Sequence, residues 1–505
     1  MIDKIKKQIK QFIKENVEID VSPAEKEEFG HYSANAAFGL APVLKKKPLE
    51  IAADLVGKLK AQRDGIFEKI EAVPPGFVNF WLKPEVLQNE VKNILKPKAK
   101  RGNSKGLKIN LEFVSANPTG PLTMANGRGG FYGDVLARVL EKAGHKVTRE
   151  YYINDTGNQI KLLGESILAA EGKIPGKEEY YKGAYIKKLK GKSAKQATAI
   201  LLKEIKTSLK EAEIIHDVWF SEDKNLHKER EVKKMLEFLR KKGLVEKKEG
   251  AIWLGDAVLM KSDGNPTYFL ADLAYHYDKF LKRKFDLAID IWGADHHGYK
   301  ARMEKGIKAL GVKPERLKIL ITQLVRLVSG GKEVRMSKRK GEFVTLSELL
   351  KEVGTDAARF FFLMHSLDTH MDFDLDLAKE RSQKNPVYYV QYAYVRALNI
   401  LRKAKGLKFQ VSSLKLLTSD SEIKLMLELV KLPDVLAQTA EDYQVHRLTK
   451  YATEFAKAFH NFYEKERVIG ASGDLEKARL ALVLATKIIL ENLFDILGIS
   501  KRKKM

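Results

Sequence analysis

The chain has 505 residues, 44% of them hydrophobic and 31% charged, and its 91 Lys and Arg against 66 Asp and Glu give a formal charge of +25. That apolar content supports sizeable cores in about three domains and excludes wholesale disorder, while the cationic excess points to a polyanionic partner such as nucleic acid. The absence of cysteine excludes disulfides, thiol catalysis and cysteine zinc sites.

Ile2, Ile5, Ile9, Phe12 and Ile13 share one helical face, in a segment too charged for a secretory signal. Asp3, Glu15 and Glu18 argue against a transit peptide. No run approaches the roughly 20 uninterrupted apolar residues of a membrane span, so a cytoplasmic protein is expected. Gly76 to Trp81 alternates like a strand, and residues 1–98 are expected to form a small α/β module. A basic joint with Pro and Gly, Lys96 to Gly106, ends it.

Beyond the joint, Leu107 to Val114 reads as a strand, followed by the loop Asn117 to Pro121. Asp134 to Ala143 carries helical spacing at Val135, Leu136, Val139 and Leu140, with Gly144 at its end. Val147 to Ile153 is a second strand, which makes a βαβ unit and hence a parallel sheet. Residues from about 161 to 250 read as a mostly helical, polar insertion, in which Val232, Met235, Leu236 and Leu239 line one face before Gly243. Leu287 to Trp292 and Ile319 to Val328 read as further buried strands. After about residue 375 the pattern is all-helical. Leu448, Tyr451, Phe455, Phe459 and Phe462 form a core stripe, and Leu475 to Leu497 a last helix closed by Gly498. The expected fold class is α/β: a doubly wound parallel-sheet domain over 106–374, a small α/β module over 1–98 and an all-α bundle over 375–505.

Three segments carry candidate chemistry. Glu112 to Gly130 joins a strand's C-terminal end to a helix N-terminus, where ligands bind in doubly wound sheets and free N–H groups favour phosphate. Gly127, Gly129 and Gly130 there would let a ligand approach closely, or would simply serve a structural turn. Ser329 to Gly341 sets five cations against the single Glu333, either a clamp for polyphosphate or a solvated basic loop. Tyr268 and Asp272, four apart, share a helical face and suit a cation such as guanidinium. Asp295, close after Gly293, could accept hydrogen bonds from ribose hydroxyls, whereas the adjacent His296 and His297 point apart and do not make a metal pair.

Together these segments resemble the class I aminoacyl-tRNA synthetases, and within them the arginyl-tRNA synthetases, over essentially the whole chain. The matching runs are Ser115 to Leu122, Arg149 to Gln159, Asp217 to Glu222, Trp292 to Tyr299 and Arg335 to Arg339. Phe343 to Leu346, Asp356 to Leu363, Asn385 to Ala393 and His446 to Leu448 continue them in the family's order. The resemblance implies a Rossmann-like catalytic domain, an N-terminal module that contacts the tRNA elbow and a helical anticodon-binding domain. It implies that ATP, with Mg²⁺ bound to it and no dedicated protein metal site, activates arginine to arginyl-adenylate. The arginyl group then passes to the terminal adenosine of arginine tRNA, which must be bound even for the first step. The family is usually monomeric. It implies that Asn117 holds the α-amino group and that Glu112, Tyr268 and Asp272 read the guanidinium. Gly293 and Asp295 would face the ATP ribose with His296 lining the same pocket, and Met336, Ser337 and the catalytic Lys338 would meet the nucleotide.

One departure stands out. The family's first signature, His-x-Gly-His, is here Thr123-Met-Ala-Asn126, and the flanks Pro121-Leu122 and Gly127-Arg128-Gly129 keep register. Thr123 and Asn126 can still donate to ATP phosphate, but as neutral groups, and charge-assisted hydrogen bonds are roughly twice as strong. Ala125 puts a methyl where the glycine lets adenine approach. The sequence therefore leaves two readings: an active synthetase with a variant first signature, or a catalytically impaired, synthetase-like tRNA-binding protein.

Overall fold

The computed structural model describes residues 1–24, 26–62, 65–96, 106–334, 344–404 and 411–505. The chain begins with helix α1 (Ile2–Lys10), whose Ile2, Ile5 and Ile9 are buried as their spacing requires. Phe12 and Ile13 lie past its end and are half-buried. Strands β1 (Val21–Pro23) and β2 (Tyr32–Ala34), helices α2 (Ala36–Leu44) and α3 (Pro48–Lys60), strands β3 (Phe67–Val73) and β4 (Phe77–Leu82) and helix α4 (Pro84–Leu95) follow. The strands form an antiparallel sheet in the order β1-β2-β4-β3.

The central sheet is built from β5 (Lys108–Glu112), helix α5 (Met124–Lys142), β6 (Lys146–Ile153), helices α6 (Gly157–Ala170), α7 (Ala184–Lys188) and α8 (Ala194–Glu211), and β7 (Val218–Ser221). Helix α9 (Glu231–Lys241), the small sheet β8 (Glu246–Lys248), β9 (Ala251–Leu254) and β10 (Ala257–Met260), and helix α10 (Tyr268–Tyr277) then lead to β11 (Leu287–Gly293). Helix α11 (Lys300–Ala309) and β12 (Leu317–Thr322) complete it. The strand order is β12-β11-β5-β6-β7, all parallel. From β5 the chain winds first towards β7 and then back to β11 on the other side. The switch point between β5 and β11 is where such sheets hold ligands.

Three expectations are corrected here. Helix α5 begins ten residues before Asp134, and Gly127, Gly129 and Gly130 are buried inside it. Gly127 and Gly130 serve packing, not ligand approach: a Cβ there would come within 2.9 Å of Leu346 or 2.8 Å of Ile214. The stretch from 161 to 250 is not one helical insertion, because β7 lies within it and forms the edge of the central sheet. Its helices α6 to α8 do share a core of their own, around Leu163, Ile167, Ile186 and Leu201. The apolar run Ile319 to Val328 is two strands in two sheets. It breaks at Gln323-Leu324, and β13 (Val325–Ser329) pairs with β14 (Lys332–Val334) and β15 (Met371–Asp374).

Helices α12 (Leu346–Val353), α13 (Thr355–Phe362) and α14 (Leu375–Lys379) lead into α15 (Pro386–Lys403), α16 (Asp420–Asp442), α17 (His446–Lys465) and α18 (Asp474–Leu497). The stripe from Leu448 to Phe462 is buried, and Gly498 ends α18 in the left-handed conformation. This helical region docks on α5. The Tyr132 hydroxyl donates to the Tyr443 carbonyl, and Arg138 donates to the Asp495 carbonyl at 2.9 Å. Buried Arg359 pairs with Asp134 and donates to the carbonyls of Ala212 (2.9 Å) and Glu213 (3.0 Å). Among the described residues no helix is long and apolar enough to cross a membrane.

Candidate active site

The crevice over the β5–β11 switch point is framed by the loop after β5, the first turn of α5, α10, and the 3-10 turn Ala294–Tyr299 after β11. In the loop, Val114 and Ser115 hold positive φ angles of 70° and 36°, a strained turn for residues with side chains. Ser115 Oγ accepts from the Tyr152 N–H at 3.0 Å, and the Tyr151 hydroxyl donates to the Ala116 carbonyl at 2.7 Å. Asn117 sits half-buried in the middle of this loop.

Thr123 is the N-cap of α5 and Asn126 its third residue. The Asn126 Oδ1 accepts from both the N–H (2.9 Å) and the hydroxyl (3.0 Å) of Thr123. The pair therefore forms a reciprocal cap, a signal present in the sequence as Thr-x-x-Asn. Ala125 is exposed on the same turn. Met124 N–H donates to the Val344 carbonyl (3.0 Å) and Leu346 N–H to that of Leu122 (2.9 Å), which ties the start of α5 to the end of the basic loop. Arg128 is fully buried. Its guanidinium donates to the carbonyls of Gln323 (3.0 Å), Ser366 (2.6 Å) and Thr369 (2.7 Å). Burial away from water lowers its pKa to about 10.

The second wall is acidic and aromatic. Tyr268 and Asp272 lie on α10 as their spacing predicts. The Tyr299 hydroxyl donates to Asp272 Oδ2 at 2.5 Å. Burial raises the Asp272 pKa to about 6, against that hydrogen bond, and the charges of Glu222 and Glu112 add to the rise. Glu222, buried and 3.1 Å from His227 Nε2, ends the run Asp217 to Glu222 and was given no role from the sequence. Burial, with the Glu222, Asp272 and Glu112 carboxylates, pushes the Tyr152 phenol well above its usual range. Tyr268 is more than half exposed at the mouth, within reach of Glu222. Glu112, at the end of β5, is buried and accepts from Lys279 Nζ at 2.8 Å.

On the β11 side, the Asp295 carboxylate folds over Gly293. A Cβ at 293 would lie 2.6 Å from Asp295 Oδ1, so a side chain there would displace that exposed carboxylate. His296 packs between Trp292 and Tyr299, at ring distances of 5.7 and 6.4 Å, and thus links the Asp295 side of the crevice to the Asp272 side. Met336, Ser337 and Lys338 lie outside the described residues. Their flanks are β14 and the Val344–Leu346 segment against α5.

Three family profiles match the chain: "Arginyl tRNA synthetase N terminal domain" over residues 1–82, "tRNA synthetases class I (R), catalytic domain" over 169–364 and "DALR anticodon binding domain" over 390–505. The arginine–tRNA ligase of Carboxydothermus hydrogenoformans is 42% identical, over 94% of this chain and 92% of that protein. That of Acetivibrio thermocellus is 40% identical over 100% of both. Thermus thermophilus arginyl-tRNA synthetase superposes with a TM-score of 0.80 at 22% identity, over all of both chains, which shows the fold.

Proposed function

The chain belongs to the class I arginyl-tRNA synthetases and ligates arginine to its tRNA, and we propose that the crevice over β5 and β11 carries the activation step. A carboxylate oxygen of arginine attacks the α-phosphorus of ATP. The bond to the bridging oxygen breaks, pyrophosphate leaves with its negative charge, and arginyl-adenylate remains. A ribose hydroxyl of the tRNA's terminal adenosine then attacks the arginyl carbonyl, and AMP leaves.

The observation that carries this assignment is the Asp272 carboxylate on α10, accepting from the Tyr299 hydroxyl, with the buried Glu112 and Glu222 at the ends of β5 and β7. Anions held out of water there favour a guanidinium, and Tyr268 and Tyr299 give it apolar walls and hydrogen-bond partners. Asn117 receives the α-amino group. Asp295, Gly293 and His296 receive the ATP ribose. Thr123, Ala125 and Asn126 form the helix end at the phosphates, where the dipole of α5 favours the charge that both missing imidazoles would have met. Lys338, with Met336 and Ser337, meets the leaving pyrophosphate, whose Mg²⁺ arrives with the nucleotide. Residues 1–98 and 375–505 grip the tRNA elbow and anticodon. The protein acts as a monomer in the cytoplasm.

The test is charging of arginine tRNA by purified protein beside Lys338→Ala. Charging by the wild type, with a loss of about 10²–10³ in kcat for the variant, is expected. Tight tRNA binding without charging would overturn the activation assignment.

A further inference from the structure

We propose that Lys279 is a positioning residue for arginine activation, clamping Glu112 within a buried row of carboxylates. The proposal rests on the reading of Glu112 as an arginine-binding group.

Glu150, Glu112 and Asp290 are direct partners across β6, β5 and β11. Partners in parallel strands point to the same face, so three carboxylates stand side by side. All three are buried. Adjacent buried anions are unfavourable unless cations meet them. The cations come from the end of α10 and the π-helical turn Asp278–Lys282 that continues it. Such turns displace side chains from regular helical register. Lys279, with no exposed surface, donates to Glu112 Oε2 and to Asp290 Oδ1, both at 2.8 Å. Arg283 pairs with Glu150, which also accepts from the Tyr275 hydroxyl at 2.6 Å. His276 places Nε2 2.9 Å from Asp290 Oδ2 and Nδ1 2.8 Å from the Asp272 carbonyl.

Three carboxylates thus face Lys279, Arg283 and His276, whose two ring nitrogens both meet acceptor oxygens. Glu150 has two partners of its own and Asp290 has His276 besides Lys279, whereas Glu112, among the described residues, has only the lysine it shares with Asp290. Burial, with the Asp290 and Glu150 charges, raises the Glu112 pKa against the pull of Lys279, but the Asp290 carboxyl is held at about 2 because Lys279 and His276 outweigh its burial. Glu112 is also the one of the three whose charge acts on Tyr152 and Asp272. Lys279 thereby fixes where the Glu112 carboxylate stands. A lysine that only stabilised the fold would affect melting without discriminating between substrates.

The experiment is arginine-dependent ATP–pyrophosphate exchange with arginine tRNA present, on Glu112→Gln, Lys279→Met and the double variant, with melting curves for each. Lys279→Gln, which keeps an N–H donor without the charge, is read instead if Lys279→Met does not fold. Glu112→Gln and the lysine variant are each expected to raise the arginine KM about tenfold or more and to leave the ATP KM alone, as for lost hydrogen bonds to charged groups. The double variant is expected to be no worse than Glu112→Gln, because Lys279 acts through that carboxylate. An unchanged arginine KM in Glu112→Gln would overturn the reading of Glu112 itself. A raised KM in Glu112→Gln with an unchanged one in the lysine variant, or additive effects in the double variant, would overturn only the role of Lys279.

Discussion

Asp272→Asn is expected to raise the arginine KM about a hundredfold and to leave the ATP KM within about twofold, because it removes one charge from a desolvated ion pair with the guanidinium. The asparagine keeps the shape of the side chain and a partner for the Tyr299 hydroxyl, so the fold is retained. A pH dependence accompanies it. The Asp272 carboxyl, raised to about 6, ionises at higher pH in the folded protein than in the unfolded chain. Its protonated form therefore stabilises the substrate-free fold fully below the unfolded value near 3.8, and that contribution is lost as pH rises through about 6. Arginine binding needs the opposite, ionised form. The arginine KM should accordingly rise as pH falls through 6, approaching about tenfold per pH unit, and Asp272→Asn should flatten that limb. Steady-state exchange kinetics between pH 5 and 8 check both. An unchanged KM in the variant would remove Asp272 from the guanidinium pocket.

Arg128→Leu is expected to be the most destabilising single change at the site. Arg128 ties the first turn of α5 to the break between β12 and β13 and to the segment between α13 and β15, through carbonyls at 323, 366 and 369. Leucine keeps the apolar bulk and leaves those carbonyls without their donor, each worth about 1–3 kcal/mol where water cannot replace it, so a loss of about 3 kcal/mol is expected. Lysine is a poor substitute, since one ammonium cannot fork towards partners on two segments. The strand after that break runs through β14 to the basic loop. Movement here therefore also disturbs the start of α5 at Thr123, and kcat should fall while the arginine KM holds. Denaturant unfolding and exchange kinetics on the two variants measure this. A stable Arg128→Leu variant would show that other contacts hold the turn.

Much of this was legible in the sequence, because its signals are local. The βαβ unit, the pairing of Tyr268 with Asp272 on one helical face and the aromatic stripe of α17 all follow from periodicity. What the pattern could not show depends on contacts between distant segments. Glycines at 127 and 130 look alike whether they admit a ligand or a neighbouring side chain, and only Leu346 and Ile214, more than 80 residues away, decide it. An apolar run from Ile319 to Val328 carries no mark of the point where it changes sheets; that mark is Arg128 reaching the carbonyl of Gln323. Lys279 reads as an ordinary helix-end cation, and its burial depends on three acidic residues coming into register on separate strands. Glu222 was within view at the end of a matching run, but its role depends on β7 joining the central sheet. Thr123 and Asn126 were read only as donors to phosphate. The cap they form is a local signal that periodicity of apolar residues does not register.

The central claim is that a first signature without histidine still supports activation of arginine. Arginine-dependent ATP–pyrophosphate exchange, measured with and without arginine tRNA, tests it most directly. Exchange that appears when tRNA is added, and is lost in Lys338→Ala, is the expected result. No exchange under either condition, from folded protein that binds the tRNA, would contradict the claim and leave a tRNA-binding protein that has lost the chemistry.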